Sequence, residues 1–281
     1  MTFEISKNRQ DNSVARTADS FINFKRENID FSVILDKPEL LKPYMNKKEM
    51  ERLQTNIDLG MSLTKKEFAV LRKVYDDIFC TNYKDYESSI VPLASKEILL
   101  CMVYGPSRSG KSKWVNWWIN NNTTTEPVYI ITPHFNDKAY EKNRNRFNFI
   151  LPLQMEEEDA IDFEPNSVVV FDDCEKIRSK KLQSFIDTCM QRGSHMGLKA
   201  VFVIIHKEKG GVFTKNIRSD SNSVVFFPSI TNTTKIQEVL TAHHGYTNQE
   251  AYRLTNDIKS PWALIDKNLN IMISLHEIRS L

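Results

Sequence analysis

The feature that most constrains this 281-residue chain is a glycine-containing segment that joins a strand-like run to a helix-like run. The apolar run from Ile98 to Tyr104 leads directly into the letters GPSRSGKS, at positions 105 to 112. An amphipathic stretch with three tryptophans begins at Lys111. In this context the pattern G-x-x-x-x-G-K-[ST] forms a loop whose backbone N–H groups and helix N-terminus surround a phosphate. The pattern therefore predicts a site for a nucleoside triphosphate.

The residue types of this loop have separate expected roles. Lys111 is expected to bind the β- and γ-phosphates, and Ser112 to ligate Mg²⁺. The cofactors predicted are therefore ATP and Mg²⁺. The residues predicted to contact them are Gly105, Pro106, Ser107, Arg108, Ser109, Gly110, Lys111, Ser112 and Lys113.

Two adjacent aspartates follow a second apolar run, about 60 residues after the loop. A nucleotide-hydrolysing site of this kind needs a strand-end carboxylate for Mg²⁺ and a second polar group that orients the attacking water. Asp172 is predicted for the metal, and Asp173 for the water. Glu175 is the alternative for the water. Without the loop, the same pair would read equally well as a solvated strand end.

Alternating apolar runs and helical stretches predict an α/β fold with a mostly parallel sheet that helices cover on both faces. The predicted strands are 98–104, 128–131, 167–171, 200–205 and 224–227. The predicted helices include 111–120, 180–191 and 234–243. The tail, 262–265 and 271–275, predicts a terminal hairpin. Helical spacing from Lys66 to Phe79 predicts a further helix, outside this sheet. The residues that share its apolar face are Phe68, Leu71, Val74, Tyr75 and Ile78.

These patterns divide the chain into three parts. Residues 1–30 are polar without periodicity and are expected to be a flexible arm. Residues 31–94 are expected to be a small helical N-terminal subdomain, with a boundary in the segment that contains Pro92. Residues 95–281 are expected to form the nucleotide-binding domain, which ends in the hairpin.

Composition excludes some classes and leaves others open. A net charge of +2 predicts no general affinity for nucleic acid, although local basic patches remain an option. No secretion signal is expected at the amino terminus, and no run of about 18 apolar residues suggests a membrane span. The four cysteines show no C-x-x-C pair, and reduced, buried thiols in an intracellular protein are expected.

Further candidates lie after the aspartate pair. His206 ends the strand 200–205 and is a candidate sensor beside the γ-phosphate, or else a loop-edge histidine without a role. Arg192 is a candidate for a trans-acting arginine finger, and Arg218 is its competitor. Either arginine could instead be an ordinary surface or DNA-facing cation. The basic segment 207–211 is a candidate DNA-gripping loop or a solvated turn.

The order of GPSRSGKS, VVVFDD, QRGSHMGLKAVFVIIHK and TKNIRSDSNSVVFF resembles the FtsK/HerA superfamily. The resemblance is strongest to the poxvirus-type genome-packaging ATPases of DNA viruses, virophages and related transposons, and it covers about residues 95 to 270. It implies a RecA/FtsK-like core and a homo-oligomeric ring, for which a hexamer is favoured and a pentamer stays open. The resemblance further implies that such a ring drives double-stranded DNA into a preformed capsid. Arg192, His206 and Arg218 occupy the places of the family's arginine, sensor and basic helix residue.

The chain departs from the family at two positions. The family's sensor is usually Gln or Asn where this chain has His206, and its acid pair is often Asp-Glu where this chain has Asp172-Asp173. The region before residue 95 lies outside the resemblance, and binding of a capsid vertex or portal-like protein is the hypothesis for it.

Two other functions remain open at this point. One is a viral replicative helicase of the superfamily 3 type, and the other is a nucleotide-gated assembly switch with little turnover. The resemblance implies a location inside the infected host cell, in cytoplasm or nucleus, with association with the virion as a further expectation. A cellular role stays open, because related motors segregate chromosomes.

Overall fold

The computed structural model describes residues 2–10, 13–25, 34, 37–67, 70–71, 74, 83–84, 89–93, 98–154, 161–206 and 212–280. Within these ranges, ten strands form one sheet in the order β4-β14-β13-β12-β11-β6-β10-β9-β7-β8, and four form a second sheet in the order β1-β3-β2-β5. The strands are β1 Thr2–Ser6, β2 Ser13–Arg16, β3 Phe21–Lys25, β4 Tyr83–Lys84, β5 Val91–Pro92, β6 Leu99–Tyr104, β7 Val128–Ile131, β8 Asn148–Ile150, β9 Val168–Phe171, β10 Ala200–Ile205, β11 Ser223–Phe226, β12 Ala263–Asp266, β13 Ile271–Ser274 and β14 Glu277–Ser280.

The described residues form six α-helices, of which the second, third and fourth connect parallel strands of the large sheet. They are α1 Lys47–Asp58, α2 Lys111–Asn122, α3 Lys180–Arg192, α4 Val212–Asp220, α5 Thr233–His244 and α6 Asn248–Asp257, with short 3₁₀ turns at Pro38–Leu40, Glu141–Arg146 and Cys174–Lys176. All pairings from β11 through β8 are parallel. The prediction of a mostly parallel sheet flanked by helices is confirmed, as are the predicted strands and helices of this core.

The central strands are buried on both faces, as their continuous apolar sequences predict. Successive side chains of a strand point to opposite faces. Cys101 and Val103 of β6 therefore pack into one core with α2, whereas Met102 and Tyr104 pack into the other core with α3 and α5. The sheet thus separates two layers of helices, and its strand ends are left for the site.

A tryptophan cluster joins α2 to the sheet and to the carboxyl-terminal part of the chain. The ring centroids of Trp114 and Trp117 lie 5.7 Å and 5.5 Å from that of Trp262, which precedes β12. Trp118 is fully buried and packs edge-on against Phe202 of β10 at 4.9 Å. The helix that follows the glycine segment is therefore held firmly on the sheet.

The predicted terminal hairpin is confirmed, because β12 and β13 pair antiparallel around the turn after Asp266. It is also extended: β14 pairs with β13, and the short strand β4 pairs with β14. Strand β4 lies about 190 residues before β14 in the chain, so local sequence patterns could not indicate that the two strands pair.

Residues 2–25 differ from the expected flexible arm. They form three strands, and β2 pairs with β5, so that Arg16 lies opposite Val91. Ala15 and Ile22 are fully buried in the same core as α2. Arg16 also donates to the backbone oxygen of Asn121 at 2.6 Å. These strands, together with residues 83–84 and 89–93, therefore belong to the nucleotide-binding body, and the boundary expected near residue 95 does not separate them from it.

The helical part expected between residues 31 and 94 has a small core of its own. Helix α1 begins at a capping box formed by Asn46 and Glu49. Its buried Leu53 packs with Leu71 and Val74, two of the residues that helical spacing placed on one face. The other residues of that predicted face, Phe68, Tyr75 and Ile78, lie outside the described residues.

Two expectations from composition can be compared with the structure. Cys101, Cys174 and Cys189 are free and buried, and burial raises the pKa of the Cys189 thiol to about 12. Cys80 lies outside the described residues. Within the described ranges, every helix is too short or too polar to cross a lipid bilayer.

Candidate active site

The segment GPSRSGKS forms a tight loop between the end of β6 and the first turn of α2. Gly110 has φ 95°, in the left-handed region that favours glycine. A Cβ on Gly105 would lie 2.7 Å from Ser109 Oγ, so only glycine fits there. Arg108, at the exposed tip, also has positive φ, at 67°. The backbone is therefore bent back on itself around the start of α2.

This loop fits a phosphate group. Ser109 Oγ is buried and has no hydrogen-bond partner among the described residues. Orphaned buried polar atoms are rare and costly unless a ligand or water completes them. Because Gly105 carries no side chain, the space beside this hydroxyl is kept clear, and the amino end of α2 adds positive potential to it.

Lys111 places a buried ammonium group at the mouth of the loop. The residue is 3% exposed, and its Nζ donates to the backbone oxygens of Gly105 at 2.8 Å and Pro106 at 2.7 Å. The third near atom is His206 Nδ1, at 3.1 Å. A buried ammonium group at the mouth of the loop is well suited to receive an anionic phosphate. Lys113, two residues further along α2, is exposed.

The predicted metal residues meet directly. Ser112 Oγ donates to Asp172 Oδ2 at 2.8 Å, and Asp172 follows the last residue of β9. Burial raises the pKa of the Asp172 carboxyl, and the hydrogen bonds from Ser112 and Tyr140 oppose that rise. Hydroxyl and carboxylate oxygens at one point suit a hard cation. The pair therefore fits Mg²⁺.

Asp173 and His206 form the second half of the site. Asp173 has φ 56°, an uncommon conformation that occurs at functional sites. Its Oδ1 lies 2.8 Å from His206 Nε2, and its Oδ2 lies 3.8 Å from His134 Nε2. His206 Nδ1 faces the ammonium of Lys111 and the Ser107 hydroxyl, at 3.2 Å. Since Nδ1 faces donors, these contacts favour the tautomer in which Nε2 carries the proton and donates to Asp173.

The alternative water-orienting residue, Glu175, has another contact. Its Oε2 accepts from the backbone N–H of His206 at 3.0 Å. This bond ties the turn after β9 to the end of β10. Asp173 is therefore the better placed carboxylate for water, and Glu175 helps to hold His206 in position.

Sequence reasoning missed Tyr140. Its hydroxyl donates to Asp172 Oδ2 at 2.9 Å, and the side chain is 1% exposed. Burial, followed by the charge of Asp172, raises the pKa of this phenol well above its ordinary value. Tyr140 lies in a polar segment between β7 and β8 with no spacing relation to the loop, so no local pattern could indicate it.

Together these residues give a strand, a glycine loop with a buried lysine, a Ser–Asp metal pair and a second carboxylate at one sheet edge. This is a P-loop NTPase architecture.

Comparison with solved structures finds similarities at low sequence identity. The chain is similar to EssC (ATPases 2 and 3) from Geobacillus thermodenitrificans, at 8% identity and a TM-score of 0.43 over 72% of this chain and 43% of that one. It is also similar to the pCW3 conjugation coupling protein TcpA, at 9% identity and a TM-score of 0.41, over 70% of this chain and 65% of that one. The VirB11 ATPase from Brucella suis gives 9% identity and a TM-score of 0.26, over 73% and 62%.

The chain thus spans less than two thirds of the length of each of these proteins. No protein-family profile matches the sequence. No curated protein matches it either. The assignment of the site consequently depends on the residues described above.

The two candidate arginines lie away from this site. The turn after Arg192 leads to Lys199, whose N–H bonds to Ser167 just before β9, so Arg192 lies near the amino edge of the sheet. Arg218 is in the last turn of α4, and Asn222 N–H then bonds to Leu100 near the start of β6. A six-residue strand is about 20 Å long. Within one chain, neither guanidinium is therefore close to Lys111.

The basic segment 207–211, the candidate DNA-gripping loop, lies outside the described residues.

Proposed function

We propose that this chain is an ATP-driven double-stranded DNA translocase that packages a viral genome into a preformed capsid in the infected host cell. The observation that carries the catalytic part is the convergence of Lys111, the Ser112–Asp172 pair and the Asp173–His206 pair at the carboxyl ends of β6, β9 and β10. Open α/β sheets bind ligands at this edge.

The loop and Lys111 would hold the triphosphate. Backbone N–H groups of the loop would donate to the phosphates, and the ammonium of Lys111 would exchange the carbonyl oxygens of Gly105 and Pro106 for phosphate oxygens. Ser112 and Asp172 would hold Mg²⁺, which when bound neutralises charge on the β- and γ-phosphate oxygens.

Asp173 would orient the attacking water and accept its proton. The water oxygen forms a bond to the γ-phosphorus as the bond to the bridging oxygen of ADP breaks, so that ADP and inorganic phosphate are the products. Asp173 is well placed for this role because the turn in which it lies directs its carboxylate toward His206, beside the loop.

His206 would link phosphate binding to the water-orienting carboxylate. Its Nδ1 contacts Lys111 and its Nε2 contacts Asp173, so one ring touches both halves of the site. A γ-phosphate that binds Lys111 competes with Nδ1 for the ammonium. The ring then shifts, and Asp173 is released toward water. This is the sensor role that the resemblance assigns to the position.

The ring assembly is supported by where the arginines lie. Arg192 and Arg218 are at the amino edge of the sheet, where α3 and α4 are joined by the hydrogen bond from Gln191 to Asp220 at 3.1 Å. An arginine on this edge can complete a neighbour's site if subunits pack edge to edge, as in a hexamer. In this proposal DNA passes through the ring, and a capsid vertex or portal-like protein is the docking partner.

One combined experiment tests the proposal. ATP hydrolysis is measured with and without double-stranded DNA, and particle mass is measured under the same conditions. DNA-stimulated hydrolysis by a hexamer supports a translocase. Hydrolysis that DNA does not stimulate favours the nucleotide-gated switch, and strand displacement on forked DNA favours the replicative helicase. Absence of ATP binding would overturn the proposal altogether.

A further inference from the structure

Tyr140, which lies outside the phosphate loop, also contacts the carboxylate of Asp172, the residue predicted to hold the metal. Both hydrogen bonds that the structure gives to the Asp172 carboxylate go to Oδ2, one from Ser112 and one from Tyr140. The torsion that rotates a carboxylate is soft, so hydrogen bonds rather than a rotamer well set its orientation. The phenol is therefore one of two groups that fix which way Asp172 faces.

The position of the phenol is set by ring packing and by hydrogen bonds of the preceding residue. Its ring packs edge-on against Phe147 and Phe149, at centroid distances of 6.2 Å and 6.3 Å. The preceding residue, Ala139, donates its N–H to the Asp137 carboxylate at 2.8 Å. The Ala139 carbonyl accepts from Asn116 Nδ2 at 2.7 Å, and Asn116 lies on α2, the helix that Lys111 begins. The hydroxyl position is thus coupled to the phosphate loop.

Ser112 cannot fix the orientation of Asp172 independently of the cation. The same hydroxyl that donates to Asp172 is the predicted metal ligand, so its position is set in part by the cation. Tyr140 is not a predicted ligand, and its position is set by packing. Groups of this kind, which bond to a metal ligand from behind, typically contribute about 10- to 100-fold to metal affinity.

We infer that Tyr140 is a positioning residue that orients Asp172 for the divalent cation and thereby sets how much Mg²⁺ the site needs to bind nucleotide. The inference rests on the proposed nucleotide site and deepens it. It concerns the cation rather than the nucleotide, so the affinity for nucleotide without Mg²⁺ does not depend on Tyr140.

The test is ADP binding by isothermal titration calorimetry as Mg²⁺ is varied, with an EDTA series as the metal-free reference. For Tyr140→Phe we expect the half-saturating Mg²⁺ concentration to rise about 10- to 100-fold, with ADP affinity in EDTA unchanged. Mn²⁺ affinity of the ADP complex, measured by electron paramagnetic resonance, should fall by a similar factor.

A matched control is Tyr129→Phe. Tyr129 also donates its hydroxyl to a carboxylate, that of the exposed Glu164 at 3.1 Å, but it lies in the amino-terminal half of β7, whereas the candidate site is at the carboxyl ends of the strands. Its Mg²⁺ requirement should equal that of the unmodified chain. An unchanged requirement in Tyr140→Phe would overturn the inference, as would an equal loss of ADP affinity with and without Mg²⁺.

A second variant covers the case in which Tyr140→Phe does not fold. Asn116→Ala removes the bond to Ala139 but keeps the phenol, and we expect a smaller rise in the Mg²⁺ requirement, about 3- to 10-fold. No rise in this variant would overturn the inference. If the unmodified chain binds ADP without any Mg²⁺ dependence, the metal site of the proposed function fails, and the inference fails with it.

Discussion

The two edges of the large sheet carry charged residues in different ways. At the carboxyl edge, His206 contacts both Lys111 and Asp173 within hydrogen-bond distance, and Ser112 bonds to Asp172. Lys111 and Asp172 are buried. At the amino edge, Arg192 ends α3 on an exposed turn, and Arg218 ends α4. One edge is an assembled site, whereas the other presents cations that have no nucleotide site in their own chain.

The difference between the two edges indicates which residues of the proposed mechanism one chain supplies by itself. Residues that must act on the same phosphate sit on adjacent parallel strands, whose carboxyl ends converge. An arginine that acts in trans has no reason to lie there. In the proposed ring, the amino edge would instead face a neighbouring subunit, and variants at the two edges should behave differently.

The largest effect is expected for Lys111→Ala at the carboxyl edge. Removal of the buried ammonium leaves the phosphates without their charge partner, and hydrolysis should fall at least about 10³-fold. Lys138→Ala, an exposed lysine on the segment beside the site, is the control and should keep full activity. Robust DNA-stimulated hydrolysis by Lys111→Ala would contradict the phosphate-loop assignment.

Arg192→Ala tests the amino edge. Hydrolysis should fall about 10³-fold, as for loss of an arginine finger, while ATP binding is kept and the free energy of unfolding changes by less than about 0.5 kcal/mol. Activity should return in part when this variant is mixed with an Asp173→Asn subunit, which supplies the arginine. Arg218→Ala is tested in the same way, and rescue of only one variant identifies the acting arginine. No rescue at any ratio would argue against trans action.

Variants of His206 test whether its hydrogen bonds to Lys111 and Asp173 are needed for hydrolysis. His206→Gln can still accept from Lys111 and donate to Asp173, so hydrolysis should stay within about 10-fold of the unmodified chain. His206→Leu has neither group and should lose about 10²-fold. Equal rates for the two variants, measured by phosphate release, would show that the histidine has no sensor role.

The smallest effect concerns stability at Asp172. Burial raises the pKa of this carboxyl, so the folded chain binds its proton more tightly than the unfolded chain does. The free energy of unfolding therefore falls as pH rises through the folded-state pKa. In urea, without nucleotide or Mg²⁺, Asp172→Asn should be slightly more stable than the unmodified chain at pH 8, and the gain should shrink at acid pH. A variant less stable at every pH would refute this reasoning.

The sequence predicts the catalytic core well because its signals are local. A continuous apolar run predicts each buried parallel strand, and the glycine pattern fixes the turn between β6 and α2. Asp172 and Asp173 follow a strand of the same kind. Once parallel strands are assumed, their carboxyl ends must share an edge, and the position of His206 beside Lys111 follows from that geometry.

What the sequence does not predict depends on contacts between distant parts of the chain. Strands β1 to β3 lie in a polar part of the sequence. They form because β2 pairs with β5, about 75 residues later, and because Ala15 and Ile22 are buried in the core with α2. Tyr140 acquires its role only from the fold that brings it to Asp172. Arg192 and Arg218 match family positions, but their distance from the loop is visible only in three dimensions.

The tryptophan cluster has an optical consequence. All four tryptophans of the chain lie either on α2 or against it, since Trp114, Trp117 and Trp118 are on the helix and Trp262 stacks on two of them. Indole emission depends on the packing and polarity around each ring. The tryptophan fluorescence of the protein therefore reports on the helix that starts at Lys111 and on its contact with Trp262, and a titration with nucleotide can be followed there without any attached dye.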